Sequence, residues 1–177
     1  VNTFELEIWD DESSLCTFYT VRNLSDDDTP TDSETEKFFL KFENVEEYAD
    51  SARRLLILLF EVIGEKYGAE DVYFNRFENE VVGLPPQGKI KIDEIVLHYP
   101  HFPLRLYALK ITNEIVILFN GGVKDGPTNQ TSSLHSNWLA ACRFAKKIEE
   151  NLRDGTIVIN EQKRVLEHFD GTHKIIL

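Results

Sequence analysis

Five side chains able to handle phosphate or protons fall in one stretch of this sequence: His98, His101, Arg105, Tyr107 and Lys124. Histidine exchanges protons near neutral pH. An arginine on a strand can hold a phosphate with two parallel hydrogen bonds, and a lysine adds a point charge. The set is that of a metal-independent acid–base reaction on an anionic backbone, with His98, His101 or Tyr107 moving protons and Arg105 and Lys124 stabilising charge. Each residue also has a plain structural alternative. Arg105 can pair with a cross-strand carboxylate, Lys124 can be a solvated loop residue, the two histidines can be surface residues, and Tyr107 can be sheet packing.

Other chemistries lack their motifs. There is no glycine-rich phosphate loop, no dinucleotide fingerprint, no HExxH and no GxSxG. His98 and His101 are three apart, but Pro100 and Pro103 prevent the regular helix that a paired metal site needs. Cys16 and Cys142 show no metal spacing and cannot form a dense disulfide framework. No cofactor and no metal are expected.

The elements that must position these residues are legible from periodicity. Phe4, Leu6 and Ile8 alternate with polar residues, and Leu15 to Leu24 supplies a second strand. Residues 25 to 36 hold almost nothing apolar and read as a mobile acidic loop; Phe38 to Phe42 reads as a short third strand. Asn44 is the expected N-cap of a long helix over about 45–67, ending near Gly64 or Gly68. Residues 89 to 98 read as a strand. Leu104–Ile111 and Glu114–Asn120 form a hairpin across Thr112-Asn113, broken off by Gly121-Gly122. Lys124 to Ser133 is a polar loop. Trp138, Ala141, Ala145, Ile148 and Leu152 mark an amphipathic helix over about 134–153. A short strand at 156–159 precedes a helical turn and tail. The expectation is a single α+β domain over 1–177, a mainly antiparallel twisted sheet packed against two main helices.

Composition narrows the classes. The 177 residues are 42% hydrophobic and 28% charged, which suits a packed domain and excludes collagen and wholesale disorder. The net charge is −12. All of it lies in the first 50 residues, where 15 acidic residues face three basic ones; the remainder carries 16 of each sign. Such a chain repels nucleic acid at long range, while a basic patch in its second half could hold phosphate locally. The longest apolar run, Leu55 to Phe60, is too short to span a bilayer. With reduced thiols and no recognisable leader, a cytoplasmic location is expected, with no membrane contact.

The order of segments from His98 onward resembles the RelE/HigB-like toxin superfamily. Leu104-Arg105-Leu106-Tyr107 stands where that family has an arginine on a strand. A hairpin, the run Ile115-Val116-Ile117-Leu118-Phe119, Lys124 and a basic helix with Arg143, Lys146 and Lys147 follow in the family's order. The similarity covers about residues 45–150. Lys124 is followed by Asp125 where many members have a second lysine, and no catalytic C-terminal strand is evident; His173 and Lys174 are the nearest candidates. The resemblance implies a toxin-type protein of a toxin–antitoxin pair, phage-related in part, acting as a ribosome-associated endoribonuclease. Its partners would be an antitoxin protein and RNA or the ribosome, with DNA reached only through a partner. The alternative is a non-catalytic member that keeps the fold and works through protein–protein interaction. In a further variant the acidic clusters Asp10-Asp11-Glu12 and Asp26-Asp27-Asp28 cover the basic second half as a built-in inhibitor.

Overall fold

A computed structural model describes residues 3–24, 31–124 and 134–177. The strands are β1 (Phe4–Asp10), β2 (Thr17–Asn23), β3 (Phe77–Glu78), β4 (Val81–Leu84), β5 (Lys89–Ile92), β6 (Ile95–His98), β7 (Leu104–Thr112), β8 (Ile115–Val123), β9 (Ile157–Asn160), β10 (Val165–His168) and β11 (Ile175–Ile176). The α-helices are α1 (Glu34–Glu43), α2 (Glu46–Ile57) and α3 (Leu134–Arg153). Helix α2 runs on into a π-helical stretch, Leu58–Tyr67. The fold is α+β: a seven-stranded sheet in the order β11-β1-β2-β8-β7-β4-β3, plus the hairpins β5-β6 and β9-β10. Every pairing is antiparallel except β2 with β8, which run parallel from Thr17↔Ile115.

The sheet is covered on both faces. On one, Phe18, Leu104, Leu106, Val116 and Leu118 meet Phe38, Phe39 and Phe42 of α1 and Leu55, Leu58, Leu59 and Ile63 of the following helices. On the other, Phe4, Tyr19, Tyr107, Ile117 and Phe119 meet Ala141, Phe144 and Ile148 of α3. Strand β8 is therefore buried from Ile115 through Asn120, as its unbroken apolar run requires.

Several elements differ from the sequence expectation. Phe38–Phe42 is helix rather than strand. Ser33 caps α1 by accepting a hydrogen bond from the Glu36 amide at 3.2 Å, so the expected loop ends before Ser33. Residues 25–30 of that loop and 125–133 of the later one lie outside the described residues. There are three α-helices among the described residues rather than two main ones. Asn44 closes α1 instead of opening the next helix, whose cap position is Val45. The helix end, by contrast, is one of the two expected: the chain passes through Gly64 and stops at Gly68, which takes φ 77°. Residues 89–98 fold back into a hairpin, and the tail contributes β10 and β11 instead of a helical turn.

Gly121-Gly122 does not end β8. The strand continues to Val123 past a bulge opposite Tyr107. A Cβ on Gly121 would stand 1.9 Å from the Arg105 carbonyl oxygen and 2.9 Å from the Phe38 ring, so this position admits only glycine.

Candidate functional site

Strand alternation decides where the expected residues point. Leu104, Leu106 and Ala108 of β7 face α1 and α2, which leaves Arg105 and Tyr107 on the α3 face. That face is closed there. Arg105 is 8% exposed and Tyr107 is 0% exposed.

The Arg105 guanidinium is turned to its own segment. Nη1 donates to the Phe102 carbonyl at 3.0 Å and the Leu104 carbonyl at 2.9 Å. Burial, then the nearby charge of Arg76, lowers its pKa to about 10. Arg76 crosses the same glycine: a Cβ on Gly83 would meet Arg76 Cδ at 3.0 Å and Arg105 Cδ at 3.6 Å. Arg76 Nε donates to the Pro85 carbonyl at 3.2 Å, and burial lowers its pKa as well. Neither arginine takes part in an ion pair among the described residues. Glu78 is the acidic group of this neighbourhood; its charge favours both cations and disfavours ionisation of Tyr107. The Tyr107 phenol is driven far above its ordinary value, by burial first and then by Glu78, so it holds its proton throughout the neutral range.

Helix α3 seals this corner. Trp138 Nε1 donates to the Glu78 carbonyl at 3.1 Å, and Asn137 Nδ2 to the Gly121 carbonyl at 2.9 Å. Cys142 packs beside them, its thiol raised to about 12 by burial and then by Glu80. It is not a reactive thiolate at neutral pH.

The histidines stand elsewhere. His98 ends β6 and His101, at φ 53°, lies in the turn before β7; both are exposed. Their segment is held from α2: Arg54 Nη2 donates to the His98 carbonyl at 3.2 Å, and its guanidinium covers the Tyr99 and Phe102 rings at 4.8 and 5.4 Å. Tyr99 and Phe102 belong to the core under α1 and α2, on the other side of the sheet from Tyr107. Lys124 follows β8, half-buried, its amide bonded to the Pro103 carbonyl at 2.7 Å. The geometry thus brings Arg105 and Tyr107 together under α3 and leaves His98 and His101 apart from them. Of the loosely matched tail, His173 and Lys174 are exposed just before β11.

Arg76 and Glu78 were not singled out by sequence, because residues 72–82 carry no clear period and their partner Arg105 is distant in the chain. No arrangement of three or more His, Cys, Asp or Glu suited to a metal ion occurs among the described residues. No helix among them is long and apolar enough to cross a membrane. No family model, curated protein or solved structure matches this chain.

Proposed function

We propose that this chain is a RelE/HigB-like toxin-type protein that keeps the architecture without ribonuclease chemistry and acts through protein–protein contact. One observation carries the reading: the cation and phenol expected to face substrate, Arg105 and Tyr107, are buried under α3, while His98 and His101 lie in a segment held from α2. A phosphoryl site needs donors aimed at open space where charge develops. Here a principal donor is spent on two local carbonyls.

A contact role has surface to work with. Phe77 is 78% exposed on the edge strand β3, with Val72 exposed nearby in sequence. Large exposed aromatics at a sheet edge are typical anchors for a partner.

The test is expression in a bacterial host and a cell-free translation reaction with labelled message. Intact message, unimpaired growth and a stoichiometric complex with a partner protein, lost in Phe77→Asp, are the expected results. Message cleavage that disappears in Arg105→Ala and Lys124→Ala would overturn the reading and restore the nuclease.

A further inference from the structure

A groove of about 350 Å³ opens between the start of β1, the middle of α3 and the end of the chain's last strand. Its floor is apolar: Phe4, Ala140, Phe144 and Leu177. Phe4 and Phe144 meet edge to face at 4.9 Å, and Phe144 also stacks on Phe119 at 6.0 Å, so the floor is fixed by the core beneath it. Arg143 and Lys147 line the same groove, four residues apart on one face of α3.

These two cations have no ion-pair partner among the described residues. Like charges one turn apart on a helix repel each other. Among the described residues only Asp154 is a charge partner of Lys147, and it stands outside ion-pair range. An apolar pocket with a few convergent charged groups at its wall is the usual form of a small-ligand site. The net charge of −12 selects among anions: a polyanion is repelled in proportion to its own charge, a single carboxylate far less. The volume is at the small end of ligand sites and leaves no room for a peptide helix.

We propose that this groove binds a small amphiphilic carboxylate, with its hydrocarbon chain on Phe4 and Phe144 and its carboxylate held by Arg143 and Lys147. The inference is independent of the contact role proposed above. Arginine would take the carboxylate with two hydrogen bonds and lysine would add a point charge.

Calorimetric titration of the full chain with decanoate tests it. One decanoate per chain is expected, with binding weakened at least tenfold in the Arg143→Gln/Lys147→Gln double variant. These side chains are exposed, so the variant keeps its fold, as circular dichroism will check. Decan-1-ol is expected to bind at least tenfold more weakly than decanoate, acetate not measurably, and Ala140→Phe to abolish decanoate binding by filling the groove. No decanoate binding, equal binding by decanol, or affinity unchanged in the double variant would overturn the proposal. So would capture of an acidic peptide at this groove without any affinity for decanoate.

Discussion

Arg76 and Arg105 lie side by side over Gly83, and neither has a carboxylate in ion-pair range among the described residues. Burying a charge is costly, and the lowered pKa of Arg105 expresses that cost, which the charge of Glu78 offsets only in part. What Arg105 contributes to the fold is then its packed stem and its two bonds to carbonyls. Arg105→Met keeps the stem and removes the charge, and is expected to unfold in urea within ~1 kcal/mol of the wild type. Arg105→Ala loses the packing too and is expected to cost about 2 kcal/mol more. Equal losses in both variants would show that the charge itself stabilises this corner.

Stability should fall steeply in alkali. Burial raises Cys16 from 9.0 to about 12 and Tyr19 and Tyr73 from 10.0 to about 12. The folded state keeps these protons after the unfolded chain has lost them. Their contribution is therefore complete below pH 9 for Cys16 and below pH 10 for the tyrosines, and is lost as pH rises towards 12. Arg105 acts in the opposite direction above pH 10, where the fold releases its proton first. Chemical denaturation between pH 8 and 12 measures the slope, which should flatten in Cys16→Ala.

Gly64 is a docking point for the turn between β1 and β2. Its carbonyl accepts from the Leu15 amide at 2.7 Å, and a Cβ there would stand 2.7 Å from Ser13 Oγ and 2.9 Å from Ser13 Cβ. Gly64→Ala is expected to cost about 1–3 kcal/mol by overpacking. Adding Ser13→Gly removes the opposing atoms, so the double variant should recover part of the loss. A purely additive result in urea denaturation would exclude this contact as the cause.

The Tyr19 hydroxyl ties the β9-β10 hairpin to the sheet by accepting from the Leu166 amide at 2.7 Å. Tyr19→Phe leaves that buried amide without its partner, at a cost of about 1–3 kcal/mol. Amide exchange should accelerate at Leu166 first, with Val116 in β8 unaffected under native conditions.

Long periodic elements were legible in the sequence. Helix α3 occupies residues 134–153 as its spacing requires, and the β7-β8 hairpin forms as expected, with its two-residue connection one place later, at Asn113-Glu114, because Thr112 pairs with Ile115. Helix α1 was missed because three phenylalanines within five residues suggest a strand, although Phe38, Phe39 and Phe42 also fit a helix and Ser33 stands three before Glu36 in the pattern of a capping box. Strands β10 and β11 are too short to show a period; pairing with β9 and β1 defines them. Arg105 between Leu104 and Leu106 reads as a solvent-facing residue of a one-sided sheet. Its burial depends on α3 covering that face, a tertiary fact that local pattern does not encode.

The parallel seam between β2 and β8 has a consequence for the order of assembly. Thr17 must find Ile115, about a hundred residues away, whereas β7 and β8 meet across a tight turn. During synthesis the first hairpin emerges long before its neighbour exists. Until then one flank of β2 has no ladder to join, and the growing polypeptide must keep it from joining another molecule's.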